Sequence, residues 1–574
     1  MKDIEKHADS DDVLSRHTAE YNLSVQMSNP QFQSQVGEGK ELKKALEARH
    51  LSMIAIGGAL GTGLLIGTGS ALKTAGPAGI FIAYSLIGFV VFMVLSALGE
   101  VATFLPLADG FAGYLTRYVD ESLGFACGWV YLIKYLLLPA NQLVAGSLVM
   151  SFWVPTTKVN AGVWIAIFLV VIVAVNILGV KFFGEIEFWL SCVKVLTCIG
   201  LIILLLVIAL GGGPTKERLG FRYWKHPGAF NIYQDKSRHL LIKGDKGRFL
   251  SFMSVLVTAT FAYTGSELVG ITFAECARPR QAIPKAIKLT FYRILFFYIL
   301  SILFLGMCVA SNDKLLLGAK GSTASASPFV IAIKNAKIKG LDHVINACIL
   351  IFVLSAANSD LYIASRTVYG LAVAGYAPKF FAKTNKMGVP YYGIALGSLF
   401  CCLAFMTVSS SSAEIFTYFV NVVSLTGLIT WACILVLHMR FMKALKVQGY
   451  SRKDLCYRSP LQPYGTYIAF VICCIIILIK NYTVFLGHNF PYKTFITGYI
   501  ILPVFFIAFI SYKLIKKTKF RKAEEIDLVT FRDVIDAEEE KFQQQDEEEK
   551  AIRDAEGNPK TLKWFYEKCF GWIF

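Results

Sequence analysis

Four ionisable side chains stand inside long apolar stretches: Lys134, Lys194, Glu267 and Asp360. A lysine or aspartate at the centre of a bilayer costs roughly 2.5–3.5 kcal/mol on insertion scales, so each such group needs a partner or a task. Burial disfavours a lysine's charge, which lets such a group load and release a proton. Lys194, at the head of KVLTCIGLIILLL, has no compensating acid close by in sequence and is a candidate for proton coupling. The alternatives for it are snorkelling or a fixed salt bridge. Glu267, inside TFAYTGSELVG (260–270), is the second candidate, or else a structural cap. Lys134, Leu138 and Gln142 recur at i, i+4 and i+8 and share one helical face. There Lys134 either faces a bound solute or pairs with Glu267 or Asp360. Asp360 is in reach of Arg366 for pairing, and Glu100 lies near one end of its apolar run. No nucleophile–base pair or metal-ligand cluster is apparent, and the thirteen cysteines contain no CxxC. Small apolar packing is the better reading of those cysteines, and enzymatic, metal and redox classes fall away.

The stretch GGALGTGLLIGTG, residues 57–69, holds six glycines in thirteen positions. Each weakens a helix by about 1 kcal/mol relative to alanine. The spacing of Gly61, Gly63 and Gly67 is not GxGxxG, and no GK[ST] follows, so nucleotide binding is excluded. Close helix packing through small residues is one use of such glycines. A broken helix is the better one. Freed amides at Gly61, Thr62 and Gly63 would begin a half-helix whose positive end attracts a carboxylate, and carbonyls before the break would hold an ammonium group. A second interruption, Thr264-Gly265-Ser266-Glu267, occupies the middle of the sixth apolar run. Interruptions at corresponding places in two halves of a chain point to a transporter site at the bilayer midplane.

These residues sit in a chain of 574 residues that is 55% hydrophobic and 17% charged. Its apolar runs are membrane-sized and number about twelve, against the roughly 20 residues a spanning helix needs. The expected organisation is a solvated tail over 1–48, one membrane domain over 49–515 and a second tail over 516–574. The opening MKDIEKHADSDD is too charged for a signal peptide. An even number of spans puts both tails on one side. Lys40, Lys43, Lys44 and Arg49 before the first span, with Lys516, Lys517, Lys519, Arg521 and Lys522 after the last, make that side the cytosol. The longer 211–249 and 311–343 connections are also basic and weigh the other way. The net charge of +17 flanks the spans and forms no basic stripe with interleaved aromatics, so nucleic acid is excluded as a partner.

GGALGTGLLIGTG, SALGEVATFLP (96–106), GEIEFWLSCVKVL (184–196), RLGFRYWKHPGAF (218–230), GSELVGITFAE (265–275) and SAANSDLYIASR (355–366) together resemble the fungal amino-acid permeases of the amino acid–polyamine–organocation superfamily. The resemblance runs from about Glu41 to the C-terminus. It implies an all-α polytopic fold of twelve helices: a five-plus-five inverted repeat (LeuT-like) with helices 1 and 6 broken, then two C-terminal helices. It also implies proton-driven uptake at the plasma membrane, with no cofactor beyond the co-transported proton. By the same resemblance the substrate carboxylate meets the amides of Thr62 and Gly63. The ammonium meets carbonyls near Ala59 and at Phe261, Ala262 and Thr264. In bacterial relatives a lysine matching Lys194 fills what is a sodium site in sodium-coupled cousins.

In relatives that carry cationic or neutral amino acids, the position matching Gln142 is often glutamate and the one matching Lys134 is uncharged. With LLLPANQL (136–143), this exchange of charge resembles the dicarboxylic branch of the family, whose substrates are glutamate and aspartate. A broad or neutral substrate range, or a non-transporting sensor of the same fold, is the alternative. The last segment, TLKWFYEKCFGWIF, alternates aromatics with charges and suits the membrane interface, where Cys569 is a palmitoylation candidate by resemblance. The tail lysines are accessible to ubiquitin-ligase machinery.

Overall fold

A computed structural model describes residues 60–106, 110–235, 240–267, 279–318, 327–409, 412–487, 490–530 and 532–555, with Met53 and Gly57. The expected sites Ala59 and Cys569, and the tail 1–48, lie outside the described residues. The chain is helical because a bilayer offers backbone amides no water, and a helix satisfies them within itself. The long helices are α1 (Gly63–Phe104), α3 (Glu121–Met150), α4 (Ala161–Ile177), α5 (Val180–Leu210), α6 (Gly244–Tyr263) and α7 (Arg280–Cys308). They continue with α8 (Leu341–Val373), α9 (Tyr391–Val408), α10 (Ser412–Val447), α11 (Tyr464–Phe485) and α12 (Tyr492–Lys516). A short α2 (Gly110–Tyr118) leads into α3, and a charged α13 (Arg532–Ala555) follows α12. Among the described residues, nine of these are long and apolar enough to cross a membrane.

Two expected spans are fused in α1. They divide at Gly76, whose φ of +79° and ψ of 172° reverse the helix ahead of Pro77. Residues 229–231 stitch the corner, with Ala78 N donating to Ala229 O at 2.9 Å and Asn231 N to Ala75 O at 3.1 Å. A side chain at Gly76 would also strike Ala229 O at 2.7 Å, so glycine is required twice over.

Burial sorts the helices into inside and outside. The apolar window of α10 is 83% buried and that of α3 72%, whereas that of α12 is only 17% buried. Helices α1, α3, α8 and α10 therefore form the interior. The outer helices α4, α5, α11 and α12 turn large apolar residues such as Val170, Trp189, Leu478 and Ile515 outward, as a lipid-facing surface requires.

The interior is interrupted at two places. Leu60 and Gly61 are non-helical, and the chain resumes at Thr62 in a wide turn over Gly63–Gly67. Such wide turns collect at functional sites. Helix α6 stops at Tyr263: Thr264 is extended with ψ 134° and Gly265 has φ +97°. The course beyond Glu267, over 268–278, lies outside the described residues. The two interruptions touch. A Cβ at Gly63 would fall 2.4 Å from Ala262 Cα and 2.8 Å from Ala262 N, backbone against backbone.

The segment after α12 was expected as a tail, and its opening stretch folds back on the bundle. Asp120, which caps α3 by accepting from Ser122 N at 2.8 Å, is also bonded to Lys513 and to Thr518 Oγ1. Burial alone would raise its carboxyl, but hydrogen bonds from Lys513, Ser122 and Thr518 hold it below its ordinary value. Further on, Arg117 pairs with Asp527 at 2.9 Å, Gln448 Nε2 donates to Ile526 O at 2.7 Å, and Ile526 and Leu528 are buried.

The contact between α1 and α6 distinguishes two neighbouring glycines. Gly61→Ala meets only Gln142 and Ala356 at ordinary distances of 3.7 and 3.9 Å. Gly63→Ala must push the α1 and α6 backbones away from each other, an overpacking that costs about 1–3 kcal/mol. Gly61→Ala should keep the wild-type melting temperature, and Gly63→Ala should lower it and abolish uptake. Thermal unfolding of both purified variants checks this; equal melting would remove the close approach as the reason for Gly63.

Candidate functional site

Among the described residues, four helices converge on the first interruption and a fifth meets the second. From α3, Gln142 Nε2 lies 3.7 Å from where a Gly61 Cβ would be, and from α8 the Ala356 methyl lies 3.9 Å away. From α6, Ala262 and Phe261 abut Gly63, and at the second interruption Thr264 Oγ1 lies 3.5 Å from where a Cβ on Gly427 of α10 would be. From α5, Ser191 crowds Gly57. Several buried polar atoms here have no hydrogen-bond partner among the described residues: Thr62 Oγ1, Gln142 Oε1, Ser191 Oγ and Ser266 Oγ. Leaving a buried polar group unpaired costs about 1–3 kcal/mol, so such a cluster is either a liability or a place prepared for a ligand.

The buried charges fall into sets. Lys134 of α3 forms an ion pair with Glu267, just past the end of α6, and both side chains are fully buried. The other Glu267 oxygen accepts from Trp431 Nε1 of α10 at 3.2 Å, and the Lys134 ammonium stands 5.0 Å from the Tyr135 ring centroid. Lys194 of α5 donates to Gly57 O at 3.2 Å and to Glu187 Oε1 at 3.3 Å. That same Glu187 oxygen accepts from Ser355 Oγ of α8 at 2.6 Å. Asp360 of α8 is buried and, among the described residues, takes one hydrogen bond, from Gln142 Nε2 at 3.4 Å.

These contacts correct two expectations. Lys194 does have a compensating acid in its own helix: Glu187 lies seven residues earlier, two turns and about 10 Å along the axis, and two long side chains close that gap. Asp360 does not pair with Arg366, whose guanidinium stacks 3.9 Å over the Tyr362 ring. Six residues turn a helix by about 600°, which sends the two side chains to different faces. Lys134 pairs with Glu267, one of the two acids the sequence offered it, while Gln142 on the same face of α3 donates to Asp360. Glu100 belongs to a separate lock near the end of α1. It accepts from Arg452 at 2.6 and 2.8 Å and from Ser459 N at 2.8 Å, with His438 Nε2 at 3.3 Å.

The carbonyls expected to hold an ammonium group are partly engaged. Phe261 O accepts from Thr264 N at 3.1 Å, and Thr264 Oγ1 donates to Thr260 O at 3.0 Å. A carbonyl keeps a second lone pair, so Phe261 O retains capacity for one more donor. Sequence reasoning passed over Glu187, Ser355 and Trp431. The i, i+7 spacing of Glu187 and Lys194 was a usable signal, whereas nothing in the sequence joins Trp431 to Glu267.

Residues 50–525 match the family model of the amino acid permeases. The chain is 55% identical over 539 residues to the dicarboxylic amino acid permease of Saccharomyces cerevisiae, covering 94% of this chain and 87% of that one. An uncharacterized amino-acid permease of Schizosaccharomyces pombe is 44% identical, with 88% of this chain and 95% of that one covered. The proline-specific permease of Emericella nidulans is 41% identical, with 88% and 91% covered. The interrupted, charge-lined interior and these matches along nearly the whole chain lead to one conclusion: the protein belongs to the amino acid permease family.

Proposed function

We propose that the protein is a proton-coupled symporter that imports acidic amino acids, L-glutamate and L-aspartate, across the plasma membrane, with both termini in the cytosol. The observation that carries the substrate class is the 55% identity to a permease named for dicarboxylic amino acids, against 41% to a proline-specific one. In this reading the fold is the five-plus-five inverted repeat with two added helices. The amides of Gly61, Thr62 and Gly63 take the substrate carboxylate. Carbonyls near Ala59 and at Phe261, Ala262 and Thr264 take its ammonium group. Lys134 and Gln142 tune the site for an acidic side chain. Lys194 and Glu267 exchange protons when their ion pairs open during the cycle. The tails serve regulation, through lipidation at Cys569 and ubiquitin-ligase machinery.

Three outcomes test this. Purified protein in liposomes with an acidic exterior should accumulate labelled glutamate, with aspartate competing as well as glutamate and proline or lysine competing poorly. No uptake above empty liposomes would remove transport, and equal competition by proline would remove the acidic preference.

Glutamate is a net anion, so moving it into a negative-inside compartment costs about 2.3 kcal/mol per 100 mV. One proton only cancels the charge, so at least two protons are expected per glutamate. Glutamate should therefore evoke inward current, and an outward or absent current contradicts that stoichiometry.

Removing one partner of a buried ion pair costs about 3–5 kcal/mol, whereas neutralising both costs far less. Lys134→Met should lose folded protein, and adding Glu267→Gln should restore it. If Lys134 also serves the substrate, the restored variant keeps a glutamate-to-glutamine uptake ratio lowered about tenfold, the worth of one charged hydrogen bond. A wild-type ratio in that variant leaves Lys134 a purely structural residue.

A further inference from the structure

We infer that Asp360 carries one of the protons that travel with the substrate, the one taken up as glutamate binds, and that it selects acidic side chains by sharing that proton with the substrate's own carboxylate; this rests on the acidic-substrate reading above. The first support is a count of charges. Lys134 is matched by Glu267 and Lys194 by Glu187, which among the described residues around the interruptions leaves Asp360 as a third carboxylate for two cations. Its contact with the Gln142 amide, at 3.4 Å, brings no positive charge. It lies within electrostatic reach of Lys134, Lys194 and Glu187, each already committed to another group or engaged by one. Tyr131 and Tyr135 face it from α3 and Cys401 from α9, and none of these is cationic. Helix α4 bears no titratable side chain, and on α8 itself Arg366 is turned onto Tyr362.

The second support is position. Ala356 stands one helical turn before Asp360 and reaches the Gly61 interruption, as does Gln142, the residue that bonds Asp360. The carboxyl therefore sits one side chain away from the place where the substrate head group is held. With Asp360 ionised, this set of two ammonium and three carboxylate groups is net negative, and an acidic side chain adds a second uncompensated charge. Two carboxylates at close range do not both stay ionised and share one proton instead. In the outward-facing state Asp360 takes a proton from external water. As a carboxylic acid it donates an O–H···O⁻ hydrogen bond to the substrate side chain, a strong charge-assisted bond. On the cytosolic side the substrate leaves and the proton passes from Asp360 to water. The O–H bond is the only covalent bond made or broken. A glutamine side chain carries no charge and needs no such proton.

Calorimetric titration of the purified protein, run in buffers of different ionisation heat and at several pH values, separates the outcomes. Wild type should take up about one proton per glutamate bound, and its glutamate Kd should rise about tenfold per pH unit once Asp360 is ionised in the free protein. Glutamine should bind with no proton uptake and a flat Kd. In Asp360→Asn, whose amide donates permanently, glutamate should bind with no proton uptake and no pH slope. Proton uptake that persists in Asp360→Asn overturns the proposal, and so does wild type binding glutamate without one. Should Asp360→Asn not fold, the wild-type comparison decides alone: equal pH slopes for glutamate and glutamine overturn it. Binding of neither glutamate nor aspartate at any pH would instead sink the acidic-substrate reading, and this inference with it.

Discussion

The ion pair between Lys134 and Glu267 fixes the centre of the molecule. Neither side chain is exposed, and no water of a bilayer interior is at hand to replace one partner with hydration. A lone charge there is expensive enough to be excluded, so each group is tolerable only while the other is in place. The pair therefore ties the middle of α3 to the point where α6 gives up its helix, and Trp431 of α10 adds a third element through the second Glu267 oxygen. An α6 that continued as a regular helix through Thr264 and Gly265 would swing Glu267 away from Lys134. The end of α6 thus carries the charge that Lys134 needs.

A parallel arrangement holds the first interruption. Lys194 reaches from α5 to the Gly57 carbonyl, just before the non-helical Leu60 and Gly61, and Glu187 balances its charge while binding Ser355 of α8. Each interruption is thus pinned by a lysine from a helix that runs through, Lys194 of α5 at the first and Lys134 of α3 at the second. Between the pins the two interruptions meet through Gly63 and Ala262 with no side chain interposed. Backbone packed on backbone at this distance does not slide without separating, so the starts and stops of α1 and α6 are mechanically linked. The polar atoms without partners among the described residues, Thr62 Oγ1 and Gln142 Oε1 among them, collect beside that contact.

Much of this was legible in the sequence, for a definite reason. Hydrocarbon demands contiguous apolar stretches, so the spans announce themselves, and it penalises charge, so Lys134, Lys194, Glu267 and Asp360 stand out as residues with something to do. The glycine-rich run announced an interruption because glycine is a poor helix former. Which charge meets which was not legible, since pairing depends on how helices pack. Lys134 and Glu267 come from different helices, and Arg366 lost Asp360 to helical phase. Only Glu187, two turns ahead of Lys194, was within reach of pattern reading. The folded segment after α12 was hidden by composition: Ile526 and Leu528 are sparse apolar residues in a charged stretch, yet both are buried where Arg117 of α2 and Gln448 just past α10 bind the segment.

That segment and the Glu100 lock place a second layer of constraint on the end of the bundle that carries the C-terminus. Asp120 binds Lys513 and Thr518, Arg117 binds Asp527, and Arg280 at the start of α7 binds Asp536 of α13. Nearby, Glu100 holds the 452–459 loop to α1 through Arg452 and Ser459. The two layers differ in kind. The central pairs are fully buried and depend on exact partnership, whereas the partners on the C-terminal segment are half-exposed, with the Asp527 and Asp536 side chains about two-fifths accessible. Exposed pairs contribute about 0–1 kcal/mol each and weaken with salt. Releasing Asp527 and Asp536 at that end therefore gives up weak contacts one at a time, whereas Glu100 and Asp120, whose side chains are fully buried, hold the same end as firmly as the central pairs hold the middle.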